Sequence, residues 1–113
     1  MKYKAEGNPP LDVLDANRWS EFPNLRTRST YRVLIEGKRN KIINVSARSR
    51  QVLEALLEKP VVASSRCRIS PVIDKLRQAG FDIHTLMYYL DSGDCFGIYV
   101  LQSNVECISK GGV

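Results

Sequence analysis

The chain has 113 residues, of which 43% are hydrophobic and 26% charged, and it carries a formal net charge of +5. That length suits one domain with a core large enough to need neither disulfide nor metal staples. No apolar run approaches the roughly 20 residues of a membrane span and no signal-peptide pattern opens the sequence, so a cytoplasmic protein is expected. Cys67, Cys95 and Cys107 lack CxxC spacing and share the chain with a single histidine, His84. Neither a four-ligand zinc site nor an all-disulfide framework is visible; three reduced thiols are expected, and no cofactor is implied.

In chain order, residues 1–10 are polar and end in Gly7, Asn8, Pro9 and Pro10, a cluster of breakers that predicts a mobile terminus. Across residues 11–22, Leu11, Leu14, Trp19 and Phe22 suggest a short, weakly periodic helix ending near Pro23. Trp19 and Phe22 are expected to cover a core edge; the alternative is a hook for a protein partner. Residues 30–35 (TYRVLI) and 41–45 (KIINV) are rich in β-branched residues and read as a hairpin. Its turn carries Lys38, Arg39 and Lys41, which either reach a phosphate backbone or protect a strand edge.

Residues 46–59 (SARSRQVLEALLEK) form the first predicted α-helix, with Ser46 as cap, Val52, Leu53, Leu56 and Leu57 as its apolar stripe, and Pro60 beyond its end. Arg48 and Arg50 fall in its first turns, where the helix dipole disfavours cations, so a polyanion contact explains them better than local stability. The link of residues 61–69 has room for an extended piece at Val61 and Val62 and at most one or two helical turns. Residues 69–80 (ISPVIDKLRQAG) then predict a second helix, with Ser70 as cap, Pro71 at the first helical position and Gly80 as terminator. At about 100° per residue, Ile69, Val72, Ile73, Leu76 and Ala79 share one face and Asp74, Lys75, Arg77 and Gln78 project away from it. Alternation over residues 81–90, a turn at 91–94 (DSGD) and a return at 96–101 (FGIYVL) predict a second hairpin. In it Tyr88 and Tyr89 point to opposite faces, one packing and the other free to lie over backbone or stack on a base, with core or dimer packing preferred to stacking. A short strand at residues 105–108 precedes a flexible end.

The charge is not spread evenly along these elements. Residues 26–77 hold thirteen basic side chains against four acidic ones, a local charge of +9. Residues 78–113 hold Lys110 against Asp82, Asp91, Asp94 and Glu106. Such segregation points to a polyanion-binding surface, with a merely solvated basic face as the alternative. His84 has no sequence-near nucleophile or spaced carboxylates, and no phosphate loop or nucleophile elbow appears, so no enzymatic activity is expected.

Taken together, residues 46–101 resemble a winged helix-turn-helix domain of the small kind found in bacterial and phage regulators. The resemblance is carried by SARSRQVLEALLEKP as first helix, ISPVIDKLRQAGFDI as recognition helix running into a wing strand, and FGIYVL as the returning strand. Its motif is moderately specific and spans about half the chain, and the link VVASSRCR implies a stunted helix between the two. The fold class this implies is α+β, a winged helix-turn-helix core with an added N-terminal β-hairpin, arranged as an arm at 1–29, a single domain at 30–104 and a tail at 105–113.

The resemblance also implies a function: a sequence-specific transcriptional regulator of a bacterium or mobile element, nucleoid-associated when bound to double-stranded DNA. The helix of residues 70–79 would then lie in the major groove, N-terminal half nearest the bases, with Ser70, Asp74, Lys75 and Gln78 as base-reading candidates. For Asp74, pairing along the helix with Arg77 or Gln78 is the preferred reading. Phosphate contacts fall to Arg48, Arg50, Arg66, Arg68, Arg77, Lys38, Arg39 and Lys41, and Arg26 and Arg28 form a candidate minor-groove arm. A homodimer is compatible with paired half-sites, with Trp19, Phe22 and residues 105–108 as candidate interface. The alternatives are an architectural or excision factor, an RNA binder, or an inhibitor or adaptor that uses the basic face on a protein.

Overall fold

The computed structural model describes residues 2–4, 12–63, 67–89 and 91–110. Nine elements follow in order: β1 (Lys2–Lys4), β2 (Ser29–Leu34), β3 (Lys41–Val45), α1 (Ala47–Glu58), β4 (Val61–Val62), α2 (Ser70–Ala79), β5 (Ile83–Tyr89), β6 (Cys95–Leu101) and β7 (Asn104–Lys110). They form an α+β domain with two α-helices and two small sheets, ordered β1-β5-β6-β4 and β3-β2-β7. Every pairing is antiparallel except β1 with β5, which is parallel.

Strand alternation decides what each sheet buries. In β2 the inward residues are Ser29, Tyr31 and Val33; opposite them in β3 lie Val45, Ile43 and Lys41. Tyr31, Val33, Ile43 and Val45 share one apolar cluster with Val52, Leu53 and Leu56 of α1, Ile69, Ile73 and Leu76 at α2, and Phe81, Ile83 and Tyr99 beside the other sheet. Both sheets therefore press on the same helix pair, and the Tyr31 ring meets Phe81 edge-on at 6.4 Å. The opposite face of the four-stranded sheet is also covered: Val62, Tyr88 and Ile98 are buried, with Tyr88 stacked on Phe96 at 5.7 Å. Gly97 in β6 has no room for more, since an added Cβ would lie 3.0 Å from Met87 Sδ and 3.3 Å from Ala63 Cβ.

Residues 11–22 do not form the expected helix. Leu14 donates its N–H to Pro60 O at 2.9 Å and accepts from Val62 N at 2.8 Å, so the backbone here extends along β4 and closes that edge. A single 3₁₀ turn at Trp19–Glu21 remains, fixed by Glu21 Oε2 accepting from the N–H groups of Asn17 and Arg18 at 2.7 and 2.9 Å. The weak periodicity lost to these long-range bonds. Phe22 is core, at 3% exposed, and Trp19 packs against it at 5.0 Å, so Phe22 offers no surface to a partner. The first residues are not all a free end either, because Lys2–Lys4 pair with β5; residues 5–11 lie outside the described residues. The short strand expected at 105–108 is the seven-residue β7, paired along the whole of β2 despite a bulge at Thr30/Tyr31. The glycine-containing end at 111–113 is not described.

A polar network locks β2 to α1 through the core. Tyr31 donates to Glu54 Oε1 at 2.6 Å, Arg50 Nε stands 3.8 Å from the same oxygen, and Arg50 Nη1 donates to Thr27 O and Oγ1 at 2.9 and 2.8 Å. Arg50 is 1% exposed; the Thr27 oxygens satisfy its Nη1, while Nε has no hydrogen-bond partner and faces Glu54 only as an ion pair at 3.8 Å. Arg50→Met is expected to destabilise the fold by about 1–3 kcal/mol in urea unfolding, since Glu54 loses its cation and the two Thr27 oxygens lose their donor. Burial and, second, the Glu54 bond push Tyr31 from its ordinary 10.0 up to about 12. Because the folded value lies above the unfolded one, this contribution is complete below pH 10.0 and is lost as pH climbs towards about 12. Urea midpoints should therefore fall over that window by the equivalent of about 2–3 kcal/mol, and Tyr31→Phe should flatten the dependence.

Candidate nucleic-acid interface

α2 forms where its sequence marks it, with one shift at the start. Ile69, not Ser70, occupies the cap position: it is 1% exposed, sits in the αR region at φ −94°, ψ −15°, and its carbonyl accepts from Ile73 N at 2.9 Å. Core anchoring of Ile69 starts the helix one residue early, so the Ser70 hydroxyl caps nothing and stands exposed. The far end is closed by Gly80 at φ +124°, whose N–H meets Leu76 O and Arg77 O, while Phe81 N also reaches Leu76 O at 3.1 Å. Ile73 and Leu76 are fully buried; Ser70, Pro71, Asp74, Lys75 and Gln78 are exposed. Asp74 lies 3.7 Å from Arg77 Nη1, the intrahelical pairing weighed against base contact.

β3 lies alongside this helix, running the opposite way. Asn44, Val45, Ser46 and Ser49 line a cleft of about 230 Å³ with Lys75, Leu76 and Ala79. At the other end Lys41 lies across the helix terminus: a Cβ on Gly80 would fall 2.7 Å from Lys41 Nζ and 3.0 Å from its Cδ. Alternation explains this, because Lys41 shares the inward face with Ile43 and Val45 but sits at the rim, where its ammonium meets the negative end of the helix dipole. Asn44 and Ser49, which the linear sequence did not single out, join Lys75 only through this packing.

The basic side chains divide into two classes. Arg50 is buried on Thr27 and cannot reach a phosphate. Arg77 donates Nε to Ile83 O and Nη2 to Thr85 Oγ1, both at 2.9 Å, and lies 5.9 Å from the Tyr99 ring. Arg48 lies over the Trp19 ring at 4.4 Å and donates to Gln51 Oε1 at 3.1 Å. Of these three expected phosphate ligands Arg50 is withdrawn from the surface by burial, while Arg48 and Arg77 are half-buried and each already engaged by partners within the fold. Arg26, Arg28, Lys38, Arg39, Lys41, Arg68 and Lys75 are exposed, and none has an ion-pair partner among the described residues; Arg66 lies outside them. Arg26 and Arg28 flank the start of α1, where Arg26 O accepts from Ala47 N at 2.7 Å.

The two hairpins beside α2 differ in charge. The β2–β3 turn closes through Lys38 N to Ile35 O at 3.1 Å, with Gly37 at φ +71°, and lifts Lys38 and Arg39 into solvent. The β5–β6 turn carries exposed Asp91 and Asp94, the latter accepting from Ser92 Oγ at 3.2 Å. Tyr89 at the end of β5 is 60% exposed and Tyr88 buried, as their opposed faces require. His84 Nε2 is 3.1 Å from Asp82 Oδ1. Cys67 is buried, which raises its thiol pKa, while Cys95 and Cys107 are exposed; among the described residues no three potential metal ligands gather.

No protein-family model, no curated protein and no solved structure matches this chain. No helix among the described residues is long and apolar enough to cross a membrane. The division of the cations has a direct check in urea unfolding. Arg77→Ala should lower stability by about 1–3 kcal/mol through two lost hydrogen bonds to partly buried acceptors, whereas Lys75→Ala should stay within about 0.5 kcal/mol of wild type.

Proposed function

We propose that this protein binds duplex DNA through the exposed face of α2, as a sequence-specific regulator whose core is a reduced winged helix. The observation that carries this reading is the segregation of charge: +9 over residues 26–77 within a chain of net charge +5. With Arg48, Arg50 and Arg77 set aside as structural, Lys75 on α2, Arg68 just before it, Lys38, Arg39 and Lys41 of the first hairpin, and Arg26 and Arg28 remain exposed, whereas Arg32 and Lys59 are paired with Glu106 and Asp12. The element order supports the winged-helix description: helix, short strand, helix, then a hairpin whose second strand pairs with both β5 and β4. The second helix is absent from the described residues of the link, in keeping with its length.

On this reading Lys75 and Gln78 are the directional readers, lysine towards a guanine edge and glutamine towards an adenine edge, each worth about 1–3 kcal/mol of discrimination. Arg68, Arg26 and Arg28 supply charge without sequence information. The test is a salt-titrated gel shift against duplex DNA, selected from a random pool, with single-stranded DNA and duplex RNA as comparisons. Wild type should prefer the selected duplex with a steep negative salt slope. Gln78→Ala should lose discrimination more than affinity. Equal binding of all duplexes by wild type and variant removes the specific-regulator reading, and retention of protein partners after nuclease treatment of a lysate favours the adaptor alternative.

A further inference from the structure

We infer that the β2–β3 hairpin, and not the β5–β6 hairpin, serves as the DNA-embracing wing, so that α2 enters the groove leading with its C-terminal half. This rests on the DNA-binding reading above and reverses the polarity that the sequence alone implied. The geometry follows from how each hairpin leaves α2. β3 runs antiparallel to the helix, with Val45 and Ser46 near Lys75 and Ala79 and Lys41 at Gly80. Its turn therefore extends past the C-terminal end, where Glu36 and Asn40 line a common cleft with Gly80, Asp82 and Gln102. β5 begins at that same end but doubles back along the helix, as Arg77 shows by bonding first Ile83 O and then Thr85 Oγ1. At about 3.3 Å per residue, its far turn is carried towards the N-terminal end.

Charge distinguishes the two turns. The turn at residues 36–41 carries Lys38, Arg39 and Lys41 against Glu36, a net +2, which stays positive at +1 when the neighbouring Asp82 is counted with it. The turn at 91–94 carries Asp91 and Asp94 and no cation, a net −2. A phosphate backbone is drawn to the first and repelled by the second. Lys41 over Gly80 also offsets the negative end of the helix dipole that would otherwise oppose a phosphate there. Protection of an exposed strand edge accounts for Lys41, which lies on the edge strand β3, but not for Lys38 and Arg39 in the turn beyond it.

The test compares Lys38→Ala/Arg39→Ala with Asp91→Asn/Asp94→Asn in gel shifts on the duplex selected by wild type, at about 0.15 M salt, where the Debye length of about 8 Å separates a touching charge from a distant one. Both pairs are solvent-exposed, and matching urea midpoints will establish that the variants fold. The hairpin variant should bind about tenfold more weakly and lose about 2 from its log–log salt slope, at about 0.9 per released phosphate contact. The Asp variant should bind like wild type. If instead the hairpin variant matches wild type, or removing the aspartates tightens binding as much as the hairpin variant was expected to weaken it, the inference is wrong while DNA binding stands. If wild type fails to bind duplex DNA, or binds duplex RNA equally, both readings fall together.

Discussion

Everything on the candidate surface depends on how α2 is held. A helix of ten residues is about 15 Å long and marginal on its own in water, so its existence here comes from burying Ile69, Ile73 and Leu76 between two sheets at once. Each sheet takes one flank of the helix. What remains outside is a narrow strip of Ser70, Pro71, Asp74, Lys75 and Gln78, whose orientation is fixed because the helix cannot roll without exposing fully buried aliphatic side chains. A surface that reads a groove needs such rigidity.

The cations engaged within the fold around this helix are arginines. Three guanidinium groups are used inside the fold or against its aromatic rims: Arg50 on a backbone carbonyl and a hydroxyl, Arg77 across the α2–β5 junction, Arg48 over Trp19. The planar fork satisfies several fixed acceptors at once, which an ammonium cannot do. Lys38, Lys41 and Lys75 stay exposed. Net charge thus overstates the usable electrostatic surface, and removing the structural arginines sharpens where the field is concentrated.

Local elements were legible where sequence and tertiary demands agreed. Pro71 and Gly80 mark α2 to within a residue, and the β-rich runs on either side of residues 36–40 mark the first hairpin because their alternation matches a single buried face. Failures cluster where long-range bonds overrode weak local preference. Leu14 was taken from a helix pattern by backbone bonds to Pro60 and Val62, and the end of the chain was drawn into β7 by the open edge of β2. At the site, the outward position of Lys75 and Gln78 was readable from helical periodicity. The loss of Arg48, Arg50 and Arg77 to internal partners was not, because those partners, Trp19, Thr27 and Ile83, carry no local signal.

The sequence by itself determined the places of the two α-helices and the two hairpins, which face of α2 is apolar, and that positive charge collects in the middle of the chain. These are properties of neighbours a few residues apart. Tertiary structure alone decided which cations remain available and which end of α2 the basic hairpin meets. Both depend on how β3 and β5 run relative to the helix, and that is set by packing two sheets against one helix pair, through contacts that helical or strand periodicity within a segment does not encode.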